Sequence, residues 1–233
     1  ARQAWIEAPY LSTPATLTEL SAGAVRPTDA PSAFAPLILP GVAERIAGHE
    51  DVMRGEETQL LGLLGLRPGF EGTVVLPGTH SKWAEIRGGR LVRFGTAMTG
   101  ELFEVIGTHS VLRHSLAGDR DGPQNAAGFD DGLDAAMARP DALTALLFRT
   151  RAAALLSAKG ADWCAGYLSG LLVGAEIAAH RDWINGPLPL IGSKRLCASY
   201  QTALKRAGHD SFVIDATEAT LAGLKQAWSQ IDG

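Results

Sequence analysis

The residues Gly78, Thr79 and Ser81 place small and hydroxyl side chains between two segments of strand character, in the sequence Leu-Pro-Gly-Thr-His-Ser-Lys over 76–82. A turn of this composition presents backbone N–H groups and hydroxyls with no bulky side chain in the way, so a phosphate can approach the main chain closely. The alternative is an ordinary turn between strands. Lys82 is interpreted either as added positive charge for the phosphate or as an exposed hairpin lysine.

Two adjacent carboxylates, Glu56 and Glu57, stand at the predicted start of a helix, directly behind Arg54 and Gly55. Adjacent side chains point in different directions on a helix, so only one of the two can project into a given site. That carboxylate could act as general base toward a substrate hydroxyl, with Arg54 or the other glutamate holding an acidic substrate. The alternative is a solvated first turn in which both charges favour the positive end of the helix.

Small residues at two further places could allow close approach of a ligand. Gly166, Gly170 and Gly174 recur every fourth position in one predicted helix, which indicates either close packing against another backbone or an approach to a nucleotide. Gly192 and Ser193 end a predicted strand and open a helix, where free N–H groups suit phosphate, ribose or adenine contacts. The same strand-to-helix turn also occurs in proteins that bind nothing there.

Several common chemistries have no motif in this sequence. His80, His109 and His114 lack zinc-ligand spacing, and there is no cysteine cluster to support a metal site. The sequence also lacks a Walker A lysine motif, a dinucleotide-binding Gly-x-Gly-x-x-Gly and a serine-hydrolase elbow. These absences leave the P-loop kinase, dehydrogenase and α/β-hydrolase classes without support.

Composition favours a globular protein with a substantial core, since the 233 residues are 46% hydrophobic and 20% charged. The net charge of −4 argues against nucleic acid or an anionic membrane as partner. The most apolar run, Tyr167–Ala179, contains Glu176 and is too short for a membrane span. Cys164 and Cys197 are predicted to be buried free thiols in a reducing compartment, which favours a cytoplasmic location.

Hydrophobic patterns predict a mixed α/β sheet with helices on its faces. Strands are predicted at Ala35–Leu39, Thr73–Leu76, Lys82–Arg87, Arg90–Phe94, Leu188–Ile191 and Phe212–Ile214. Helices are predicted at Gln59–Leu66, Asp141–Lys159, Ala161–His180, Lys194–Ala207 and Thr217–Trp228.

Turn and cap signals refine this outline. Gly88-Gly89 predicts a two-residue hairpin inside a three-stranded meander. Thr99 is predicted to cap a helix, Asp215 and Glu218 form a predicted capping box, and Asp119–Gly132 is predicted to be a loop.

Four segments of the chain, in order, resemble the 2-dehydro-3-deoxygalactonokinase family. They are Arg2–Tyr10, Met53–Gln59, Leu76–Trp83 and Thr96–Phe103. The resemblance runs from Arg2 to near the C-terminus. It implies phosphorylation of the 6-hydroxyl of 2-dehydro-3-deoxy-D-galactonate with ATP and Mg²⁺, in galactonate catabolism.

The resemblance also implies an RNase H-like, actin/hexokinase-type fold with two lobes and ATP in the cleft between them. Residues 1–68 would be the remainder of the N-terminal sugar-acid lobe, and 69–233 the C-terminal nucleotide-binding lobe, with the last helix crossing back. The ATP site implied by the resemblance contains Gly78, Thr79, His80, Ser81, Lys82, Gly170, Gly174, Gly192 and Ser193. Glu57 is favoured over Glu56 as the catalytic base, and Arg2 and Arg54 are candidates for holding the sugar acid.

One family feature has no counterpart in the sequence: an Asp-x-Gly-Thr strand-turn that forms the first phosphate hairpin and helps to organise Mg²⁺. The chain is therefore expected to be N-terminally incomplete and, as it stands, inactive. Two other functions stay open, a kinase for another sugar acid such as 2-dehydro-3-deoxygluconate and a non-catalytic regulator that binds a nucleotide or sugar acid. A homodimer is a further open possibility.

Overall fold

The computed structural model describes residues 8–28 and 36–231. Within these ranges the chain forms nine β-strands in two sheets, together with eight α-helices. The strands are β1 (Tyr10–Ser12), β2 (Ala15–Thr16), β3 (Gly41–Glu44), β4 (Asp51–Met53), β5 (Gly72–Leu76), β6 (Ser81–Arg87), β7 (Arg90–Ala97), β8 (Leu188–Gly192) and β9 (Ser211–Asp215). The helices are α1 (Glu19–Ala22), α2 (Glu56–Leu66), α3 (Thr99–His109), α4 (Asn125–Ala138), α5 (Leu143–Leu156), α6 (Ala161–Ala179), α7 (Lys194–Arg206) and α8 (Ala216–Ile231).

The larger sheet has six strands in the order β2-β7-β6-β5-β8-β9. Strands β5, β6 and β7 form the predicted antiparallel meander. Gly88 and Gly89 close its second hairpin with φ angles of 56° and 71°, a backbone conformation that glycine adopts without steric cost. Strand β8 then pairs parallel with β5, and β9 pairs parallel with β8. The predicted mixed α/β arrangement is confirmed.

The smaller sheet has the order β1-β3-β4, with β3 parallel to β1 and antiparallel to β4. The strand predicted at Ala35–Leu39 is wrong where it can be compared: Ala35 lies outside the described residues, and in 36–39 only Ile38 makes an isolated bridge, to Val25. Proline lacks the N–H donor that a ladder needs, and prolines stand at both ends of this segment. The strand begins instead at Gly41, directly after the second proline.

Helices cover both faces of the six-stranded sheet, because successive side chains of a strand point to opposite sides. Val74 and Leu76 of β5 pack against α2 and α8, whereas Val75 packs against α4, α6 and α7. Helices α2 and α8 approach very closely. A methyl group on Gly62 would lie 1.8 Å from the carbonyl oxygen of Ala219, so this contact requires glycine.

Helix α4 corrects the loop predicted at Asp119–Gly132, since the helix begins at Asn125. Its glycines are packing positions, and a methyl group on Gly132 would lie 2.2 Å from the carbonyl oxygen of Tyr167 in α6. The glycines of α6 face the same contact: a methyl group on Gly170 would lie 2.1 Å from the carbonyl oxygen of Phe129, and one on Gly174 would lie 2.9 Å from the side chain of Ala136. The packing interpretation of this glycine row is therefore confirmed. Helix α4 fills the space beside Gly170 and Gly174, and their ATP role stays a prediction from the sequence.

The remaining helix predictions are confirmed to within a few residues, with two differences at the caps. Asp215 accepts hydrogen bonds from the backbone N–H groups of Thr217 and Glu218, which supplies the aspartate half of the predicted capping box. Thr99 is the first residue of α3 and not its cap, and its hydroxyl donates to the carboxylate of Glu176 instead.

Both cysteines are buried free thiols, as predicted. No helix within the described ranges is long and apolar enough to cross a membrane.

Candidate functional site

The turn that joins β5 to β6, residues Pro77–Ser81, lies at one edge of the six-stranded sheet and is held from inside. The N–H of Gly78 donates to Oγ of Ser81, which is fully buried, over 3.5 Å. The carbonyl of Thr79 accepts from the N–H of Glu101 at the start of α3, at 3.0 Å. A methyl group on Gly100 would lie 2.6 Å from the carbonyl oxygen of Gly78, so α3 sits directly against the turn.

The strand-to-helix turn at Gly192-Ser193 lies beside Pro77–Ser81, because β5 and β8 are parallel and their carboxyl ends share one edge of the sheet. A methyl group on Gly192 would lie 3.0 Å from the carbonyl oxygen of Pro77. The Oγ of Ser193 accepts from the N–H of Leu196 and caps α7. Two small-residue turns that are far apart in sequence are thus brought together.

A large cavity of about 890 Å³ opens on one side of these turns, between α3, α4, α6 and α7. Its walls combine apolar side chains with a few polar and charged groups. They include Gly78, Phe103, Asn125, Phe129, Ser169, Val173, Ser193, Arg195 and Tyr200. A mostly apolar pocket with a few convergent polar groups is typical of a small-molecule site. Sequence analysis identified only the two turn residues of this wall.

A small cavity of about 380 Å³ adjoins the same turns. Its walls come from the start of α2 and from both turns. They include Glu56, Gln59, Pro77, Gly78, Thr79, His80, Gly192 and Ser193. Gly78 and Ser193 line both cavities, so the two turns form a wall that the cavities share.

The adjacent glutamates Glu56 and Glu57 occupy different environments, as the helical geometry requires. Glu56 is half-buried, lines the small cavity, and accepts a hydrogen bond from the N–H of Arg54 at 3.1 Å. Glu57 is 2% exposed and accepts from the N–H of Gly55 at 2.6 Å and from the hydroxyl of Thr58 at 3.2 Å. It lies in the wall of neither cavity. The geometry therefore favours Glu56 as the candidate base, whereas the sequence analysis favoured Glu57.

Burial also changes the acidity of Glu57. Removal of its carboxylate from water raises its pKa to about 6, and the nearby charge of Glu56 adds to the rise. The hydrogen bonds from the backbone and from Thr58 oppose the rise without cancelling it.

Lys82 is not the exposed hairpin lysine that one interpretation of the sequence offered. It is 5% exposed, and its Nζ donates to the carbonyl of Val52 at 3.1 Å and to Oγ1 of Thr96 at 2.7 Å. Thr96 in turn donates to Oδ1 of Asp51 at 2.6 Å. Lys82 lies in the wall of neither cavity, and its contribution to phosphate binding stays a prediction from the sequence. It connects β4 of the small sheet to β6 and β7 of the large one.

Arg54 is anchored beside the small sheet. Its Nη2 donates to the carbonyl of Ala8 at 2.9 Å, and its guanidinium lies 4.4 Å above the ring of Tyr10. The Nη1 atom is buried and has no hydrogen-bond partner among the residues that the structure describes. The other arginine proposed for the sugar acid, Arg2, lies outside the described residues.

Sequence analysis missed a buried carboxylate below the turn Pro77–Ser81. Glu176 of α6 is 5% exposed and accepts hydrogen bonds from Nε1 of Trp83 at 2.7 Å, from the hydroxyl of Tyr200 at 2.6 Å, and from the hydroxyl of Thr99. The only signal in the sequence is one glutamate inside a long apolar helix, where an unpaired charge is rare. The sequence gives no indication of which residues donate to it.

The structure combines a mixed α/β fold with two adjoining cavities, each within the volume range of small-molecule pockets. No group of three or more histidine, cysteine or acidic side chains within residues 8–28 and 36–231 is arranged to hold a metal ion.

Comparisons with known proteins identify the family. The family model described as 2-keto-3-deoxy-galactonokinase matches residues 1–227. A Rhizobium meliloti (strain 1021) protein described as 2-dehydro-3-deoxygalactonokinase DgoK1 is 41% identical over 230 residues, which cover 97% of this chain and 74% of that protein. The 2-dehydro-3-deoxygalactonokinase of Escherichia coli (strain K12) is 35% identical over 225 residues, or 95% of this chain and 73% of that protein.

A solved structure agrees with these relatives. The crystal structure of a Sinorhizobium meliloti protein described as a 2-dehydro-3-deoxygalactonokinase superposes with a TM-score of 0.92 at 40% identity, covering 99% of this chain and 77% of that one. The chain belongs to the 2-keto-3-deoxy-galactonokinase family, as the four sequence segments predicted.

Proposed function

We propose that this protein transfers the γ-phosphoryl group of ATP to the 6-hydroxyl of 2-dehydro-3-deoxy-D-galactonate. The two relatives described above carry the name of that activity. The observation that carries the proposal is the wall shared by the two cavities, because Gly78 and Ser193 line both. Phosphoryl transfer needs a donor and an acceptor to meet in line across a site that binds phosphate, and catalysis then comes mainly from positioning and charge stabilisation.

The large cavity is the proposed nucleotide site. Its volume of about 890 Å³ lies in the upper part of the range for small-molecule pockets. Its open edge at Gly78 and Ser193 would place the phosphates of ATP against two turns with small residues. Thr79, His80 and Gly192 line the far side of the same turns, where the γ-phosphate would emerge.

The topology supports an RNase H-like, actin/hexokinase-type lobe. A three-stranded antiparallel meander extended by two parallel strands, in the order β7-β6-β5-β8-β9, is the arrangement expected of that lobe. The close contact of Gly62 in α2 with Ala219 in α8 supports a last helix that crosses back toward residues 1–68. The division into lobes at 68/69 is part of this proposal, as are a cytoplasmic location and a homodimer.

The small cavity is the proposed acceptor site, with Glu56 as general base. In the transfer step the oxygen of the sugar hydroxyl forms a bond to the γ-phosphorus, and the bond from that phosphorus to the β,γ-bridging oxygen breaks. The hydroxyl proton goes to the carboxylate of Glu56, and ADP leaves with the bridging oxygen. Arg54, which lines neither cavity, stays the candidate from the sequence for the substrate carboxylate, because guanidinium groups bind carboxylates in pairs of hydrogen bonds.

Mg²⁺ fits this arrangement as a companion of ATP. Two residues with hydroxyl side chains, Thr79 and Ser193, line the small cavity. They would be neighbours of an ion held mainly by the phosphates of ATP and by water, which suits Mg²⁺ because it usually keeps several waters and binds substrate phosphates. When bound, the ion would neutralise part of the phosphate charge.

The first experiment measures ADP release by the full-length protein with ATP and 2-dehydro-3-deoxygalactonate, with its gluconate epimer, and with no sugar acid. Release that depends on the galactonate compound supports the proposal. Release that depends on the epimer alone would reassign the substrate. A folded protein that binds ATP and turns over neither compound would contradict the proposed activity and favour a binding role.

A pair of matched variants tests the base. Glu56→Gln is expected to lower kcat by about 10²–10⁴-fold, the range for loss of a general base, with little change in KM for ATP. Glu57→Gln removes the negative charge next to Glu56 without changing the length of the side chain. This variant is expected to retain most of kcat. The opposite ranking of the two variants would return the role to Glu57.

A further inference from the structure

The polar cluster around Glu176 connects four elements directly below the turn Pro77–Ser81. Glu176 lies in α6, and its donors Trp83, Thr99 and Tyr200 lie in β6, α3 and α7. Oε1 accepts only from the indole N–H of Trp83, whereas Oε2 accepts from both hydroxyls. All three donors are themselves buried.

A directed chain of hydrogen bonds leads from this carboxylate to the turn. The hydroxyl of Tyr200 has one proton, which it donates to Glu176 at 2.6 Å. It therefore accepts the contact at 2.9 Å from Ser81, whose hydroxyl proton points toward it. That orientation leaves a lone pair of the Ser81 oxygen free to accept from the N–H of Gly78 at 3.5 Å. Because all three partners donate to it, Glu176 is the acceptor at the end of this chain and thus sets the direction of every bond as far as Gly78.

A second route reaches the turn through the start of α3. Thr99 donates to the same Oε2 atom. Its neighbour Gly100 lies against the carbonyl of Gly78, and the N–H of Glu101 donates to the carbonyl of Thr79 at 3.0 Å. Both routes therefore start at one carboxylate oxygen and end on the residues proposed to meet the phosphates.

We infer that Glu176 is a positioning residue that fixes the turn Pro77–Ser81 in the conformation that accepts the phosphates of ATP. This inference rests on the proposed function. Glu176 itself does not line either cavity, whereas its partners Thr99 and Tyr200 line the large one. Its effect on ATP is therefore exerted through the turn and through those two side chains.

The inference predicts which kinetic constant changes. Glutamine at this position has nearly the shape of glutamate, but its amide nitrogen donates and so opposes one of the donors directed at it. Glu176→Gln is expected to lower kcat/KM for ATP by about tenfold or more, as for one lost hydrogen bond to a charged group. The KM for the sugar acid is expected to stay within about twofold, because the acceptor would lie on the far side of the turn.

Two further variants keep the test decisive if the glutamine variant does not fold. Tyr200→Phe and Ser81→Ala each remove one hydroxyl of the chain and are expected to show the same selective effect on ATP at smaller size. Adding Ser81→Ala to Tyr200→Phe is expected to cost less than the sum of the single effects, since both interrupt one chain.

Thr73→Val is the matched control. Thr73 is 2% exposed, and its hydroxyl donates to the carbonyl of Trp183 at 2.6 Å, outside the cluster. The control loses one buried hydrogen bond made by a strand of the same sheet. It is expected to leave KM for ATP and KM for the sugar acid unchanged. An equal change of KM for ATP in the control would show that any loss of stability produces the effect, and this would overturn the inference.

Hydrogen–deuterium exchange of peptides that span 76–82 provides a readout that does not depend on turnover. Faster exchange there in Tyr200→Phe or Glu176→Gln without nucleotide, and not in Thr73→Val, is the expected result. Unchanged exchange together with an unchanged kcat/KM for ATP overturns the inference while leaving the kinase proposal intact. Failure of the kinase proposal would be seen separately, as a wild-type protein that releases no ADP.

Discussion

Glu57 and Glu176 are both buried glutamates near the shared wall, yet they are held in different ways. The donors to Glu57 are Gly55 and Thr58, which lie within two residues of it in the sequence. The donors to Glu176 lie 24, 77 and 93 residues away along the chain. Burial raises the pKa of both carboxyls. A short sequence segment specifies the first environment, whereas only the assembled fold creates the second.

The difference matters for what each carboxylate can do. Glu57 holds the start of its own helix and so affects the adjacent Glu56 in the small cavity. Glu176 joins four elements around the large cavity. We therefore expect substitutions of Glu57 to act locally and substitutions of Glu176 to act on the whole nucleotide side of the fold.

The largest expected effect is on the stability of a truncated Glu176. Glu176→Ala leaves the side-chain donors of Trp83, Thr99 and Tyr200 without their acceptor, and each unsatisfied buried donor costs about 1–3 kcal/mol. The free energy of unfolding is expected to fall by at least about 3 kcal/mol, and by more than in Glu57→Ala. Urea unfolding of both variants measures this. Equal losses would mean that the long-range donors contribute no more than the local ones.

The same contrast explains what the sequence could predict. The meander, the Gly88-Gly89 hairpin and the alternation of the C-terminal third were predicted because periodicity and turn residues are local signals. The two small-residue turns were found for the same reason. Their meeting in one wall could be inferred only after β5 and β8 had been paired.

The errors arose where tertiary contacts decide the role of a residue. Helix α4 was predicted as a loop because its glycines are typical of loops, although here they pack against α6. One interpretation of Lys82 was an exposed hairpin lysine, but the side chain is buried and donates to Val52 and Thr96. Glu176 served only as an argument against a membrane span, since nothing nearby in sequence identifies its three donors.

Lys82 is a buried cation whose hydrogen-bond partners, like those of Glu176, lie far from it in the sequence. Lys82→Met keeps the aliphatic length but removes the donor to Val52 and Thr96, so the junction between the two sheets loses its charged link. A loss of at least about 2 kcal/mol in the free energy of unfolding is expected, because two hydrogen bonds from a charged group are removed. A variant that unfolds like wild type would show that the sheets do not depend on this link.

Glu57, whose donors are close to it in the sequence, is expected to make the free energy of unfolding depend on pH. Its pKa in the folded protein is about 6 against an ordinary 4.5, so folding favours the protonated form. The stability from this preference is fully present below about pH 4.5 and is lost as the pH rises through about 6. The wild type should lose up to about 2 kcal/mol from this group over that interval.

Glu57→Gln cannot ionise and should lack that loss. The check is the free energy of unfolding of wild type and variant, measured at several pH values across the interval. The difference between the two proteins is expected to change with pH and then level off above pH 6. A constant difference would contradict the raised pKa.

The smallest effect is expected at the surface of the same turn, where His80 contacts Glu101 of α3. Both side chains are substantially exposed, at 48% and 39%, so water screens their interaction. His80→Gln should change the free energy of unfolding by less than about 1 kcal/mol, because the backbone bond from Glu101 to Thr79 remains. If thermal unfolding showed a loss as large as that of Glu176→Ala, the turn would be held from its surface and not from the buried carboxylate. A small loss of unfolding free energy in His80→Gln and a large loss in Glu176→Ala would show that buried contacts, and not the surface pair, stabilise the turn.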